Sequence, residues 1–486
     1  MLDLAQLPTY LRSFRRRADI RMRRRVRILL ASSLFALSMT MAGACTTDKA
    51  PPRSPVLLIA LDGLEWTVVI DMLREGRLPN IAGRLRAGTF GELETMHPSL
   101  SPAIWASVAT GVKPRAHGIH GFVKSGGDGG PRLFTSRDRR TKALWNIASD
   151  HGLRSGVVGW WNTYPVEPLS GVMVAQSNTS PKDRNEHGGI GILKGSLRQG
   201  VDHQVEPAQL APRVFGLADE VDRNLDVTLG RVFRRPAPTG TDAIARMWQE
   251  SRWSLRADLE YERISLDLLA GAESFDLFLV YFGGTDVLAH RFWRWAHPQE
   301  YAPPPDAKSV EAYGSILTDY YAYVDEAVGR LVAAAPPQAI VILMSDHGMR
   351  PANRKQRFDP SIEGRPPRSG SHGKSDALFI ISGPGIRRAA PDVETGSLRR
   401  PDIPRLGRIF DVAPTVLALL GLPVGADMEG KAMTEVIEPS LLQARPLKEV
   451  PTHTPPGWFR SRALPQSEEP HAEERLEQLR SLGYIE

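Results

Sequence analysis

The chain has 486 residues, of which 42% are hydrophobic and 24% are charged, a composition that excludes a low-complexity or intrinsically disordered protein. Its formal charge of +6 suggests an anionic partner, but residues 1–44 hold nine arginines and two aspartates, which leaves about −1 for the rest. The basic character therefore belongs to the N-terminus, and the sequence predicts no nucleic-acid-binding surface on the folded body.

The N-terminus has the layout of an export signal. An arginine-rich stretch, RRRVR, precedes the apolar run ILLASSLFALSMTMAGA and then Cys45, the single cysteine of the chain. The segment Ala42–Cys45 resembles a bacterial lipobox, in which the cysteine is acylated and becomes the new N-terminus. We therefore expect residues 1–44 to be a lipoprotein-type signal peptide, with Met1 or Met22 as the true start. An ordinary signal peptide, or an anchor helix with an incidental cysteine, is the alternative.

On this interpretation the protein is exported and anchored in the bacterial cell envelope through acylated Cys45, facing the periplasm or the cell surface. Residues 45–54 would form a short polar tether.

From Val56 onward, apolar runs alternate with helical patterns. The runs are nearly continuous, which favours strands that are buried on both faces. The predicted strands are Val56–Leu61, Ser155–Trp160, Asp276–Phe282, Ala339–Met344 and Ala377–Ile381. The predicted helices are Pro102–Thr110, Ala143–Ser149, Ile244–Leu269, Val310–Ala334 and Asp411–Leu420. This alternation predicts an α/β fold with a mostly parallel central sheet flanked by helices on both faces.

Two long regions interrupt the alternation. Residues 178–242, approximately, are polar and rich in glycine and proline, and we interpret them as an inserted cap over the active face. Residues 436–486 begin with a proline-rich segment and end in EERLEQLRSLGYIE, where leucines at helical spacing predict a helix that packs on the body. Residues 55–435 remain as the main domain.

Six acidic or imidazole side chains stand beside the predicted strand ends, where α/β sheets bind their ligands. They are Asp62, Asp286, His290, Asp346, His347 and His372. Asp286 and His290 are four residues apart, which places both on one face of a helical turn. Histidine nitrogen and aspartate oxygen are the usual donors for zinc. The set is large enough for two divalent cations, zinc in the first place and other ions as alternatives.

Ser101 and Pro102 are typical of a helix start, with serine as the N-cap and proline at the first helical position. Taken alone, this pattern indicates only a capped helix. Beside a two-metal cluster, the same serine becomes a candidate nucleophile, because the helix dipole and a cation would both lower its pKa. The N–H groups at that helix end can also hold phosphate oxygens.

The order of these motifs resembles the alkaline phosphatase superfamily and, within it, the type I phosphodiesterase/nucleotide pyrophosphatase family. The motifs that carry the resemblance are Asp62, Ser101 with Thr110-Gly111 nine residues later, Asp286-x-x-x-His290, Asp346-His347 and His372-Gly373. The resemblance covers residues 55–435 and implies an alkaline-phosphatase-like catalytic domain there. It also implies two zinc sites with Ser101 as the nucleophile, one site formed by Asp286, His290 and His372 and the other by Asp62, Asp346 and His347.

The chain departs from the family around the substrate phosphate. The phosphate-binding asparagine that lies about twenty residues after the nucleophile in the family is matched here by Phe122. Pro102, directly after the nucleophile, has no backbone N–H. The candidate replacements are the N–H groups of Ala103 or Ile104 and the side chains of Asn162, Tyr164 and Lys374.

The sequence thus predicts a two-metal hydrolase of phosphate esters, foremost a phosphodiesterase or nucleotide pyrophosphatase that forms a phosphoseryl intermediate on Ser101. Two alternatives stay open. One is a phosphomonoesterase or phosphotransferase acting on an envelope lipid or glycan, and the other is a non-catalytic surface lipoprotein. The expected partners are the phosphate-ester substrate and the membrane, and the sequence does not determine the oligomeric state.

Overall fold

The computed structural model describes residues 53–125, 131–176, 197, 201–239, 243–355, 368–373, 376–389, 392–462, 464, 476 and 480. In this part of the chain the strands are β1 (Val56–Leu61), β2 (Gly88–Glu94), β3 (Val123–Ser125), β4 (Pro131–Leu133), β5 (Ser155–Val158), β6 (Gly171–Val174), β7 (Val205–Glu206), β8 (Leu277–Phe282), β9 (Ile340–Met344), β10 (Met349–Pro351), β11 (Gly370–His372), β12 (Ala377–Ser382), β13 (Arg405–Arg408), β14 (Val424–Gly425) and β15 (Glu449–Val450). The α-helices are α1 (Trp66–Arg74), α2 (Pro79–Ala87), α3 (Ser101–Thr110), α4 (Pro114–His117), α5 (Leu144–Asp150), α6 (Ala211–Val232), α7 (Ala243–Gln249), α8 (Arg252–Leu269), α9 (Gly284–Ala296), α10 (Ala307–Tyr313), α11 (Ile316–Ala334), α12 (Val412–Leu419), α13 (Pro439–Ala444) and α14 (Trp458–Ser461).

Nine of the described strands form one sheet in the order β13-β2-β12-β9-β1-β8-β5-β6-β7. The central run β9-β1-β8-β5-β6 is parallel throughout. Strand β12 runs antiparallel to both of its neighbours, β9 and β2. The predicted mostly parallel sheet is therefore confirmed. Because β12 is antiparallel to β9, it starts at the edge of the sheet where β9 ends.

The sheet is covered on both faces, as its apolar strands require. Alternate residues of β1 point to opposite sides: Leu57, Ile59 and Leu61 join one hydrophobic core, and Val56 and Leu58 join the other. Helices α1, α2, α6, α8, α9 and α11 contribute buried side chains to the first core, and α3, α5 and α12 to the second. The predicted α/β fold with helices on both faces is confirmed.

Two of the predicted helices are each a pair of shorter helices. The predicted helix Ile244–Leu269 is interrupted between α7 and α8, and Val310–Ala334 is interrupted between α10 and α11, at Gly314. The Cβ of any other residue at position 314 would lie 2.6 Å from the carbonyl oxygen of Val310, so the chain passes itself too closely there for a side chain. The two outermost strands at each end of the sheet were not predicted, because they are short or interrupted by glycine and charged residues; they are β13 and β2 at one end and β6 and β7 at the other.

The predicted cap region is partly described. Residues 211–232 form α6, which packs along α8 and buries Val214, Leu217 and Leu229 in the first core. This helix was not predicted, since its apolar positions are separated by many polar residues. Its function as a cap over the active face stays a prediction.

Other predictions fall partly or wholly outside the described residues. The signal peptide, Cys45 and Lys374 lie outside them, and of the predicted C-terminal helix only positions 476 and 480 are described, with Leu476 buried in the second core. Among the residues that are described, no helix combines the length and the apolar character of a membrane span.

Candidate metal centre and active site

The six predicted ligand residues meet at one edge of the sheet because of the strand directions. Asp62 follows β1, Asp286 lies in the first turn of α9 after β8, and Asp346 follows β9. These three strands are adjacent and parallel, so their carboxyl ends share one edge. His372 ends β11 shortly before β12, and β12 begins at that same edge because it is antiparallel to β9. Four separate chain segments therefore deliver their side chains to one place.

One group of ligand atoms surrounds Asp286. Its Oδ1 lies 3.3 Å from Nε2 of His290 and 3.3 Å from Nε2 of His372. The two imidazole nitrogens are 2.9 Å apart. This set is the one that the family resemblance implies for the first ion.

The second group contains Asp62, Asp346 and His347. Nε2 of His347 lies 3.5 Å from Oδ1 of Asp62 and 3.3 Å from Oδ2 of Asp346. Ligand atoms of these three residues lie within 4.8 Å of one another, and so do those of Asp286, His347 and His372. His347 therefore lies between the two groups, and its ring is 3.8 Å from that of His372. The structure brings all six predicted residues together, and their division between two ions stays a prediction.

Each histidine presents the same ring nitrogen to this cluster. Nδ1 of His290 lies 2.9 Å from the carbonyl oxygen of Gly370, and Nδ1 of His372 lies 2.6 Å from that of Ser99. Nδ1 of His347 faces its neighbouring carbonyl, Gly348, at 3.2 Å. A carbonyl oxygen only accepts hydrogen bonds, so this network assigns the proton to Nδ1 and leaves the Nε2 lone pair directed at the cluster. Backbone carbonyls orient metal-binding histidines in this way.

The three carboxylates are close enough to oppose one another's ionisation. Burial, followed by repulsion from Asp286, raises the pKa of Asp62 to about 7. Burial and repulsion from Asp62 raise the pKa of Asp346 well above its usual value. Burial acts in the same direction on Asp286, but His290 and His372 beside it hold its pKa well below the usual value. Such a concentration of buried acids suits a site that binds cations, which remove the repulsion.

The imidazoles are held in the neutral form that metal binding requires. Burial lowers the pKa of His290 and that of His347 to about 4 each. Nε2 of His347 and Oδ2 of Asp346 are buried without a hydrogen-bond partner. Buried polar atoms usually have one, so these two atoms fit a bound ion. Two imidazole–carboxylate groups of this kind fit zinc by donor type.

Ser101 lies beside the second group. It is the first residue of α3, is 2% exposed, and its hydroxyl donates to Oδ1 of Asp62 over 3.3 Å. The predicted N-cap was wrong by one residue: Leu100 is the N-cap, and Ser101 and Pro102 begin the helix. Because Ser101 does not cap the helix with its own side chain, its Oγ faces the ligand cluster.

The other oxygen of Asp62 is held by two donors that sequence reasoning missed. Oδ2 accepts hydrogen bonds from Nε1 of Trp105 over 3.0 Å and from the hydroxyl of Tyr281 over 2.6 Å. Trp105 lies one helical turn after Ser101 on α3, and Tyr281 lies on β8. These bonds leave Oδ1 to face Ser101 and His347. The backbone also closes in here, since Gly63 has φ +64° and a Cβ on it would come within 3.0 Å of the Asp286 Cβ.

Two further buried acids support the ligand-bearing segments. Asp258 on α8 accepts the N–H groups of Gly283 and Gly284, each over 2.8 Å, at the start of the helix that carries Asp286. Glu65 accepts the N–H of Met349 over 2.9 Å and so holds the segment after His347. Neither acid could be recognised from sequence, because its partner is 25 or more residues away.

The predicted phosphate contacts are mostly engaged elsewhere. The N–H groups of Ala103 and Ile104 donate to the carbonyl oxygen of Leu100, over 2.9 and 3.0 Å, so they are not the donors that we predicted. Nδ2 of Asn162 donates to the carbonyl oxygen of Phe134 over 3.1 Å. Tyr164 is buried.

Phe122, which the resemblance matches to the family's phosphate-binding asparagine, packs edge-on against Trp161 with ring centroids 5.6 Å apart. Trp161 in turn lines a narrow cavity of about 30 Å³ beside Asp62, Ser101 and Tyr281.

Comparison with known proteins agrees with this geometry. A family model described as type I phosphodiesterase / nucleotide pyrophosphatase matches residues 56–365, a range that contains Ser101 and five of the six ligand residues and ends before His372. The chain is also similar to a curated 2,3-bisphosphoglycerate-independent phosphoglycerate mutase of Chloroflexus aurantiacus (strain ATCC 29366 / DSM 635 / J-10-fl), with 26% identity over 184 residues. That match covers 37% of this chain and 27% of the mutase, so the chain spans only about a quarter of that relative's length.

Two solved structures are similar at low identity. A 2-O GAG sulfatase aligns with a TM-score of 0.46 and 13% identity over 83% of this chain and 76% of its own. Human ectonucleotide pyrophosphatase / phosphodiesterase 5 aligns with a TM-score of 0.44 and 12% identity over 79% of this chain and 99% of its own. The family assignment depends on the match over residues 56–365, which covers more than half of the chain. The chain therefore belongs to the type I phosphodiesterase/nucleotide pyrophosphatase family.

Proposed function

We propose that this protein is a divalent-metal-dependent hydrolase of phosphate esters, foremost of phosphodiesters, and that it acts through a phosphoseryl intermediate on Ser101. The observation that carries the proposal is the 3.3 Å contact between the Ser101 hydroxyl and Asp62 Oδ1 at the edge of the six-residue ligand cluster. A buried serine in that position has a neighbouring carboxylate to accept its proton and a helix N-terminus behind it.

The residues of the cluster would bind two zinc ions, His290 and His372 with Asp286 on one side and His347 with Asp62 and Asp346 on the other. Such ions supply Lewis acidity and lower the pKa of hydroxyl groups near them. In the first step the Ser101 oxygen forms a bond to phosphorus, the bond to the leaving alcohol breaks, and the alcohol takes up a proton. In the second step water cleaves the phosphoseryl bond, which restores the serine hydroxyl and releases the second product.

The protein contributes orientation to both steps. Trp105 and Tyr281 hold Oδ2 of Asp62, so that Oδ1 stays beside Ser101. The carbonyls of Ser99 and Gly370 fix the rings of His372 and His290. Preorganised groups of this kind need no rearrangement as charge develops in the transition state.

The test is hydrolysis of bis-p-nitrophenyl phosphate by the purified, zinc-loaded protein. We expect Ser101→Ala to lower kcat by about 10³-fold or more. Ser107→Ala is the matched control: Ser107 is also buried on α3, but its hydroxyl donates to the carbonyl oxygen of Ala103 over 2.9 Å and faces no ligand. Equal rates for wild type and Ser101→Ala would reject Ser101 as the nucleophile.

We further propose that the protein is exported and anchored in the cell envelope by acylation of Cys45. The support is the sequence alone, with its arginine-rich start, its apolar run and the small residues before the cysteine. Labelling of cells with a clickable fatty acid tests it. The wild-type chain should be labelled and sediment with membranes, and a labelled Cys45→Ser variant would contradict this assignment.

A further inference from the structure

An arginine that the family motifs do not include lies at the ligand cluster. Nη2 of Arg368 is 3.2 Å from Nε2 of His290, the nitrogen that faces Asp286 and His372. The arginine is half-buried, so its guanidinium belongs to the site rather than to the outer surface. Its position in the sequence, four residues before His372, carries no pattern that would have revealed it.

The backbone at Arg368 is fixed against the helix that carries His290. The N–H of Ser369 donates to the carbonyl oxygen of His290 over 2.9 Å, and Nδ2 of Asn353 donates to the carbonyl oxygen of Arg368 over 3.0 Å. Gly370 follows, and a Cβ there would come within 2.2 Å of the carbonyl oxygen of Ala289. The chain therefore packs its backbone directly against α9. This contact fixes the position of the Arg368 Cα, from which the side chain extends.

The contact with Nε2 of His290 indicates where the guanidinium acts. That nitrogen would be a ligand of the first ion, so a cation that takes its lone pair replaces the hydrogen bond from Arg368. The guanidinium would then lie beside the ion, where it would donate to an anion bound at the same place. Its planar set of donors matches phosphoryl oxygens, which makes arginine a preferred partner for phosphate.

The site also needs such a donor. Phe122 stands where the family has its phosphate-binding asparagine, and Pro102 has no N–H. The N–H groups of Ala103 and Ile104 bond to a carbonyl, and so does the side-chain amide of Asn162. None of the described candidates for replacing the family's asparagine carries a positive charge. Arg368 carries one.

We propose that Arg368 binds the non-bridging oxygens of the substrate's phosphoryl group and gives this site an activity on phosphate monoesters. A monoester ends in a dianionic phosphoryl group with three terminal oxygens, whereas a diester offers two such oxygens and one charge. A guanidinium at the ion therefore favours the monoester more strongly. This inference rests on the proposed phosphate-ester chemistry and extends it to a second substrate class.

The experiment compares wild type with Arg368→Ala and Arg368→Lys in the zinc-loaded protein. Arg354→Ala is the matched control, because Arg354 lies on the exposed loop nearby and donates to the carbonyl oxygen of Glu300 instead. Calorimetric titration measures binding of inorganic phosphate and of dimethyl phosphate, and kinetics compare p-nitrophenyl phosphate with bis-p-nitrophenyl phosphate. Zinc content is measured for every variant.

We expect Arg368→Ala to weaken the binding of inorganic phosphate by about 10- to 100-fold, the range of one charge-assisted hydrogen bond. The binding of dimethyl phosphate should weaken by much less. The ratio of monoester to diester kcat/KM should fall by about 10-fold or more, with partial recovery in Arg368→Lys and none of these changes in Arg354→Ala.

The proposal would be overturned if Arg368→Ala lost the same affinity for both anions, lost affinity for neither, or lost its zinc. It would also be overturned if the wild-type protein bound no phosphate. If the wild-type protein hydrolyses neither ester, the proposed function fails, and the phosphate titration still decides the role of Arg368.

Discussion

The hydroxyl of Tyr281 donates to Oδ2 of Asp62 over 2.6 Å, and this bond decides which oxygen of the carboxylate faces the ligand cluster. With Oδ2 also occupied by Trp105, Oδ1 is the oxygen that lies 3.3 Å from Ser101 and 3.5 Å from His347. This bond between β8 and the end of β1 thus orients Asp62, which is a predicted metal ligand and the hydrogen-bond partner of the proposed nucleophile, Ser101.

We expect Tyr281→Phe to weaken binding of one zinc equivalent by about 10- to 100-fold, as loss of a group that orients a ligand usually does. Competition with a chromogenic chelator measures this affinity. Tyr323→Phe is the control, since the Tyr323 hydroxyl donates over 2.7 Å to another buried carboxylate, Glu262, which is not one of the six predicted ligands. If both variants bind zinc as tightly as wild type, the Tyr281 bond does not orient Asp62.

Asp258 and Asp325 perform the same structural task at two helices of different function. Asp258 accepts two consecutive N–H groups at the start of α9, and Asp325 accepts those of Asn80 and Ile81 at the start of α2. Asp258→Asn and Asp325→Asn should each destabilise the fold by about 1–2 kcal/mol. Each carboxylate accepts N–H groups with both of its oxygens, whereas an asparagine amide has only one oxygen that can accept.

Only Asp258→Asn should also weaken zinc binding, since α9 carries two of the six predicted ligands and α2 carries none of them. Urea unfolding and zinc titration of both variants measure the two quantities separately. Equal zinc affinities in the two variants would show that Asp258 supports the fold and not the metal site.

Replacing Asp346 with asparagine should have opposite effects with and without metal. In the metal-free protein, burial and the repulsion among the carboxylates raise the pKa of Asp346 and of Asp62. Removal of the Asp346 charge therefore relieves the repulsion. We expect the Tm of the chelator-treated variant to rise by roughly 1 °C, which corresponds to about 1 kcal/mol for a domain of this size. The zinc-loaded variant should melt below zinc-loaded wild type, because a ligand is lost. A lower Tm in both states would mean that the acids do not repel one another.

His117 should make the protein sensitive to acid through the helix that carries Ser101. Its Nδ1 accepts the N–H of Ile119 over 3.1 Å, so its other nitrogen donates to the hydroxyl of Ser107. The ring must stay neutral, and burial lowers its pKa from 6.5 to about 3. The unfolded chain binds the proton first, so this contribution is complete above pH 6.5 and is lost as the pH falls from there towards 3.

The measurement is the free energy of unfolding between pH 7 and pH 5 for wild type and His117→Gln. Wild type should lose up to about 1.4 kcal/mol per pH unit more than the variant in this window. The other histidines are common to both proteins and cancel in the comparison. Parallel pH profiles would contradict a neutral His117.

Sequence reasoning identified the six predicted ligand residues that the structure brings together, because each follows or precedes a long apolar run at one sheet edge. Asp62, Asp346 and His347 could be predicted from the strands alone. Tyr281, Asp258 and Arg368 could not, since each acts through a partner 25 to 219 residues away that only the folded chain brings near. The predicted N–H donors failed for a local reason: the helix began one residue earlier than expected, and its first amides bond to Leu100.

The most direct test of the central claim is mass spectrometry of zinc-loaded protein quenched in acid during turnover of a phosphodiester. The account predicts that the peptide containing Ser101 carries a covalent phosphoryl group that retains one ester, and that the Ser101→Ala protein carries none and turns over no substrate. A protein that hydrolyses the diester rapidly without any modified peptide, or whose Ser101→Ala variant remains active, would contradict it.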